Sequence, residues 1–415
     1  MQLANHRHNL ICNAIHEAIW GFGIAFHTTY AVVPLFLKML DAPPIIIGSV
    51  AGVFTACAAI PQIGIAFFGQ RIQNLKKGVI LAHAVLIPPI LFIGVLFAFF
   101  TTIGTQAWVI YFICFILFSI GVGVVFPIWA DFLELVHLPE RRGEFFGVSF
   151  AIFNGAGFIG GFAVKKLLDS VAFPSNFGFG FIIFSICIII SVILFFFYRL
   201  EPKEESKYNK DFKRFKKLVA HIIKSDNNFR RYLFSRMLLS ANYPAISLYA
   251  VYTYEKFHFD VSEAGIFIAI SVLTSSIASL GMGKLGDNIG HKHVLVLVFI
   301  GYIGALITTL FAKTMAHTYL IFAFLGMGQG GFLTTSMSLI YEFAGNTGDK
   351  KIYFALTDSF IAPFVVLFVI LSGLFIPIFG IEKVLMGLGI FIFFGLIFLA
   401  FFTVEPKLVE RDKII

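Results

Sequence analysis

Long apolar runs separated by short polar breaks fill this chain from end to end. A helix needs about 20 consecutive apolar residues to cross roughly 30 Å of hydrocarbon. The pattern predicts membrane-spanning helices over 12–37, 44–69, 78–100, 106–134, 144–168, 178–200, 231–256, 264–284, 293–312, 318–343, 352–378 and 383–404. That is six spans, one long polar stretch and six more. The alternation in segments of about ten residues that marks a membrane β-barrel is absent from the pattern. The expected class is an all-α membrane protein with 12 transmembrane helices. Its expected parts are an N-terminal bundle over 1–200, a linker over 201–230 and a C-terminal bundle over 231–415.

The linker has a pattern of its own. Phe212, Phe215, Leu218, Val219, Ile222 and Ile223 recur at helical spacing, with Lys213, Arg214, Lys216 and Lys217 between them. That pattern predicts an amphipathic helix lying on an anionic membrane surface or against the inner ends of the spans. A plain tether between the halves is the other reading.

Composition agrees with the pattern. Of 415 residues, 59% are hydrophobic and 13% are charged, far from the balance of a soluble globular domain. The net charge of +8 does not point to nucleic acid, because the lysines and arginines sit in the breaks between spans. With both termini placed in the cytoplasm, the inner breaks hold 24 of them and the outer breaks hold 6. That bias predicts the orientation, and with it a multi-pass protein of the plasma or inner membrane. Arg236, inside a span, is the one left over. Cys12, Cys57, Cys114 and Cys187 are scattered through apolar stretches and read as small hydrophobes. The first run lacks a small-residue cleavage site and reads as a retained span.

The sharpest local pattern is Gly281-Met-Gly-Lys-Leu-Gly-Asp-Asn-Ile-Gly-His-Lys-His293, a glycine-rich polar break between two apolar runs. Its glycines permit close helix approach and a quick reversal. Asp287 is its only acid, able to face a helix N-terminus or pair with a base. Gly283, Leu285, Asp287, Gly290 and Lys292 resemble the signature loop of the major facilitator superfamily of transporters, which joins the eighth and ninth spans. Asn288 and His291 stand where the family usually has arginines. A fainter copy, Gly69 to Lys77, has Gln73 in place of the aspartate. Gly121 and Gly123 before Phe126 are echoed by Gly326 and Gly328 before Phe332. The resemblance implies two six-helix bundles in a pseudo-twofold arrangement around a central solute cavity. Spans 1, 4, 7 and 10 would line that cavity, and spans 2, 5, 8 and 11 would lie where the halves meet.

Charged side chains inside a span cost several kcal/mol unless they face protein or water. Glu17, Arg236 and Asp358 are such residues, and each lies roughly 7–15 Å inward from the nearest inner-side base at about 1.5 Å per residue. Asn13, His16, Glu17, His27 and Thr28 fall on one face of span 1. Arg236, Ser240 and Ser247 share a face of span 7, with Tyr243 and Pro244 between them. Ser271, Ser275 and Ser279 recur at spacing four in span 8, while Thr55 and Gln62 in span 2, and Gln329 and Ser336 in span 10, are seven apart. The expected cavity residues are Asn13, His16, Glu17, His27, Gln62, Arg236, Ser240, Tyr243, Ser247, Gln329 and Ser336. Glu17 or Asp358 is expected to take a proton as a carboxylate–guanidinium cluster forms and breaks. A permanent structural ion pair is the competing reading.

Asp131 and Glu134 close span 4 ahead of Arg141 and Arg142, and Glu342 closes span 10. Together with Gly283, Asp287, Gly290 and Lys292 they are the expected gating residues. Solvated loop charges are the bland alternative for the pairs. Span 5 carries Asn154-Gly-Ala-Gly-Phe-Ile-Gly-Gly161, small residues suited to close packing. It lacks the Gly-Pro pair of the family's antiporters, and span 4 lacks their arginine, which weighs against drug efflux. His16 and His27 form no His-x-x-x-His pattern, and no metal or cofactor is expected.

The expected function is secondary active transport of a small organic solute, proton-coupled, by a monomer in the lipid bilayer, with no nucleic acid as partner. Two other classes stay open: a transporter-shaped sensor that binds without moving its ligand, and a membrane enzyme such as a lipid transferase. The enzyme reading finds no Gly-x-x-x-x-Gly-Lys, His-Glu-x-x-His or Gly-x-Ser-x-Gly to support it.

Overall fold

A computed structural model of the chain describes residues 3–68, 74–100, 106–138, 141–200, 220, 222–344 and 350–406. Inside its helices, the side chains of 62–68, 142–144, 337, 350–352, 354, 355 and 359 lie outside the description. Among the described residues the chain is helical, with no strand. Most of the linker positions read as amphipathic, and the first five residues of the fainter signature copy, lie outside the described residues.

The helices are α1 (Leu3–Ile24), α2 (Val32–Met39), α3 (Pro44–Phe68), α4 (Leu75–Ala84), α5 (Ile87–Phe99), α6 (Ala107–Val136), α7 (Arg142–Ser170) and α8 (Ser175–Leu194). After the linker come α9 (Asn227–Leu239), α10 (Asn242–Phe257), α11 (Glu263–Ile289), α12 (His291–Leu310), α13 (Met315–Ala344) and α14 (Lys350–Phe402). Among the described residues, ten stretches are long and apolar enough to cross a membrane. Twelve predicted spans become ten stretches for two physical reasons. The seventh span is broken at Ser240–Ala241, so α9 and α10 are each too short alone, at 13 and 16 residues. Pro244, in the first turn of α10, has no N–H to return to the Ser240 carbonyl. The eleventh and twelfth spans run together in α14, kinked at Gly380, whose φ of 80° a side-chain-bearing residue rarely adopts.

Spans 1 and 3 are also interrupted. The first breaks between His27 and Val32, where the Thr28 hydroxyl accepts the Val32 N–H at 3.1 Å. The third breaks at Val85–Leu86, just ahead of the Pro88-Pro89 pair. In lipid, freed backbone groups need internal partners, and the Thr28 hydroxyl is one.

The chain forms two compact units. The first comprises Met1–Lys203 with Ser247–Leu273, and the second comprises Glu204–Ile246 with Thr274–Ile415. The core of the first is aromatic. Phe36 lies 4.8–5.3 Å, ring centre to ring centre, from Phe97, Tyr111, Phe177 and Phe181, in tilted and edge-on contacts of the favoured kind. Outward-facing side chains such as Leu280 and Phe401, each 80% exposed, suit a hydrocarbon surrounding.

Both units end in the same clasp. In the first, Asn9 donates to the Arg199 carbonyl at 2.9 Å and accepts the Arg199 N–H at 2.8 Å. Lys76 Nζ donates to the carbonyls of Phe196 and Tyr198 at 2.7 and 3.1 Å. In the second, Asn228 makes the same two bonds to Val404, both at 2.8 Å, and Lys292 Nζ donates to the Ala400 carbonyl at 2.8 Å. A helix leaves its last four carbonyls without helical partners. Here an asparagine at the start of the first span of each half and a lysine at the start of its third supply partners at the end of its sixth. This internal repeat is sharper than the glycine echo of the sequence.

Candidate functional site

In the second unit, α9 carries Arg236 to within one turn of the span-7 break. Its side chain is buried, donating from Nη1 to the Tyr232 hydroxyl at 3.0 Å and lying 4.3 Å above the Phe332 ring. A guanidinium over an aromatic face is held by the ring quadrupole. Asp358, on α14, is exposed. No ion pair joins Arg236 to Asp358 among the described residues. Ser240 bonds back to the Met237 carbonyl at the helix end. Tyr243, Gln329 and Ser336 are half-buried. The predicted Arg236 and Asp358 both belong to this unit. The structure adds Tyr232 and Phe332, which sequence reasoning missed. Tyr232 had one available signal, its place four residues before the arginine on the same helical face.

The first unit encloses the polar face of span 1. Asn13 is 1% exposed, donating to Ser149 Oγ at 2.7 Å and accepting the Tyr198 hydroxyl at 3.0 Å. His16 Nδ1 and Glu17 Oε1 lie 3.2 Å apart, both buried. The His16 ring stacks near Trp20 and meets His83 edge-on at 5.8 Å. His27 stands apart from this group, 3.1 Å from the Tyr111 hydroxyl among phenylalanines. Ser247 accepts the Ala51 N–H at 2.9 Å. The Gln62 side chain lies outside the described residues. Of the expected charge cluster, Glu17 thus belongs to the first unit, and Arg236 and Asp358 to the second.

The signature stretch is mostly helix. Gly281 to Ile289 continue α11, and the chain turns at a single residue, Gly290, with φ of 95°. A Cβ there would meet the Glu405 carboxylate at 2.2 Å. Glu405 is 4% exposed and accepts the Lys292 N–H at 2.9 Å, placing its charge on the N-terminus of α12. His293 Nδ1 is 3.5 Å from the same carboxylate. His291 Nδ1 meets Glu342 at 2.6 Å, while Asp287, 77% exposed, is 3.9 Å from His291 Nε2. Glu405 was missed from sequence, although Glu405-Pro-Lys repeats Glu201-Pro-Lys at the end of the sixth span. Asp131, Glu134 and Arg141 are exposed, and the Arg142 side chain lies outside the described residues.

The first unit carries a second charged group that sequence reasoning did not single out. Lys165 on α7 donates to Glu263 at 2.7 Å and Ser262 Oγ at 3.4 Å, with Asp169 at 3.8 Å. Lys38 pairs with Glu255. Beneath Lys165, α7 and α11 touch backbone to backbone. A Cβ on Gly265 would lie 2.2 Å from the Gly161 carbonyl oxygen, and one on Gly161 would lie 2.6 Å from that of Gly265. Residues 247–273 are thereby fixed onto spans 1, 2 and 5.

A family model described as Major Facilitator Superfamily matches residues 18–254 and 232–414. Solved structures share the fold. The nucleoside transporter NupG aligns with a TM-score of 0.67 at 13% identity, over 95% of this chain and 97% of that one. A bacterial homolog of the human lysosomal transporter Spinster, inward-facing and unoccupied, gives 0.67 at 13%, over 99% and 98%. A POT family transporter in complex with 5-aminolevulinic acid gives 0.69 at 13%, over 96% of both. No curated protein matches the chain at a significant level.

Proposed function

The chain belongs to the major facilitator superfamily, and from that membership we propose that it is a secondary active transporter moving a small organic solute by alternating access, driven by protons. The observation that carries the reading is Arg236. It is a buried cation in an oily unit, held by a phenol and a ring face, with no ion pair to Asp358 among the described residues. An isolated charge in the middle of a membrane helix costs about 2.5–3.5 kcal/mol on insertion scales. A guanidinium that bonds one phenol and faces one ring keeps further N–H donors for a solute. Arg236 suits one anionic group on that solute. Glu17, paired with His16, and Asp358 are the acids that take and release the proton.

Orientation follows from the 24-to-6 charge bias, with both termini in the cytoplasm and the protein in the plasma or inner membrane. The Lys165 and Lys38 ends then face outward. Their pairs with Glu263 and Glu255 then lie at the outer face. The signature stretch faces inward. The working parts are the bundles 1–200 and 231–415, joined by the linker 201–230, in a monomer.

Purified protein reconstituted in liposomes tests the proposal. A panel of nucleosides, short peptides and small zwitterions, including 5-aminolevulinic acid, is first screened by thermal shift. The stabilising compound should then accumulate in liposomes under an inward-acidic or outward-acidic gradient and equilibrate without one. Binding with no flux under either gradient would refute transport. Flux of equal size with and without the gradient would refute proton drive alone.

A further inference from the structure

Away from the Arg236 site, the start of α9 and the end of α14 enclose an open cleft of about 340 Å³ in the second unit. That volume is within the range of small-ligand sites. Its lining is Asn227, Arg230, Arg231, Phe234 and Phe398. We propose that this cleft binds an anionic phospholipid of the surrounding membrane, the two arginines holding the phosphate and the phenylalanines flanking an acyl chain.

Three observations carry this assignment. The lining holds two cations and no acid. The acid nearest in sequence, Asp226, spends its carboxylate accepting the Phe229 N–H at 2.8 Å as the cap of α9. Donors remain for a ligand, since each guanidinium has five N–H groups. Arg231 uses Nη1 on the Phe402 carbonyl at 3.1 Å. Arg230 uses Nη1 on the Ile223 carbonyl at 3.1 Å and Nη2 on Asn227. These bonds fix the guanidiniums in place rather than cancel their charge.

The second observation is polarity by depth. Phe234 lies one turn along α9 from the arginines, roughly 5 Å at about 1.5 Å per residue. Phe234 meets Phe398 edge-on at 4.7 Å, and Phe398 stacks on Phe402 at 4.9 Å. The cleft is therefore cationic at one level and aromatic at the next, which is the polarity of a phospholipid from phosphate to chain. A soluble phosphate would use only the first level.

The third is placement. Arg230 and Arg231 stand in the first turns of α9, the start of the seventh span, with Phe234 45% exposed. Basic pockets between spanning helices at this level suit anionic headgroups, and the helix N-terminus adds to the attraction.

The test uses purified full-length protein in a neutral detergent, with bound lipid counted by native mass spectrometry. Phosphatidylglycerol should bind saturably and phosphatidylcholine should not. The R230Q/R231Q variant keeps amide donors for the backbone carbonyls but removes both charges. It should weaken phosphatidylglycerol binding about 30-fold, taking the usual contribution of one basic residue near an anionic surface twice. The F234A variant, which touches no backbone anchor, should weaken it by a smaller factor. Equal binding of the two lipids overturns the proposal, as does an unchanged affinity in a folded R230Q/R231Q. Glycerol phosphate binding as tightly as the lipid also overturns it, by assigning the cleft to a soluble anion.

Discussion

Replacing Gly265 with alanine tests the contact between α7 and α11 most directly. The added Cβ would lie 2.2 Å from the Gly161 carbonyl oxygen and 2.5 Å from the Lys165 nitrogen. Real Cβ contacts essentially never fall under 3.0 Å, so the helices must part by about 0.8 Å. Both obstacles are backbone, so no side chain can swing aside to make room. Overpacking of this kind costs roughly 1–3 kcal/mol. Against a parted arrangement of the same helices, that is roughly a 5- to 150-fold loss of the closed one. Gly281 is an internal control on the same helix. A Cβ there meets nothing within 4 Å, so G281A should gain up to about 1 kcal/mol from helix propensity. Thermal melting in detergent reads the opposite signs. Spin labels at K166C and K256C, with Cys57 replaced by serine, read the separation of spans 5 and 7. G265A should lower the melting temperature and lengthen the distance. A G265A protein with unchanged melting and unchanged distance would refute the backbone contact.

Other outcomes follow from the charges and caps. E405Q keeps an acceptor for the Lys292 N–H but removes the charge from the α12 N-terminus, and should cost about 0.5–1 kcal/mol in melting experiments; E405A should cost about 1–2 kcal/mol. R236K keeps charge but loses the planar stacking on Phe332, and R236A loses both, so solute binding measured by thermal shift should fall in that order. The Lys165–Glu263 pair is 31% and 19% exposed, so K165Q or E263Q alone should change melting by less than about 1 kcal/mol. The reversed pair, Lys165→Glu with Glu263→Lys, should restore most of the loss, and a double-mutant cycle measures the coupling.

The fold was legible because lipid imposes a strong constraint on sequence. Apolar runs of spanning length, broken by basic loops, have few other interpretations, and the boundaries 264–284 and 293–312 fell near those of α11 and α12. What the pattern hid were the breaks within spans. Hydropathy averages over a window, and Ser240–Ala241 or Thr28–Ala31 interrupts hydrogen bonding without interrupting oiliness. Of the proposed site, the sequence singled out the charged members: Arg236 and Asp358 are rare enough in their spans to be noticed singly. Its uncharged partners, Phe332 among 54 phenylalanines and Tyr232 among 13 tyrosines, carried no such contrast. Glu405 and Lys165 were hidden differently. Each lies at a span end, where charges are common, and only three-dimensional contact distinguishes a buried cap or a cross-span pair from a solvated side chain.

Magnitudes then separate the parts of the molecule that hold from the parts that can let go. The contacts fixing residues 247–273 onto spans 1, 2 and 5 are few and partly wet. Lys38 and Glu255 are 36% and 41% exposed, and pairs of that kind contribute at most about 1 kcal/mol each. Two such pairs, one glycine contact and the Ser247–Ala51 hydrogen bond can bias an arrangement by a few kcal/mol without locking it. The contacts at the Gly290 end are of another kind. Glu405 is buried on a helix N-terminus, and Asn228 makes both bonds to Val404. Leaving a buried group such as the Glu405 carboxylate without its partner costs its desolvation penalty, about 1–3 kcal/mol, while the Asn228–Val404 bonds are exposed and contribute less. They join pieces of one unit that are already neighbours, so no motion needs to break them. A transport cycle that parts the molecule where separation is cheapest would open the Lys165 end and carry the clasps through unchanged.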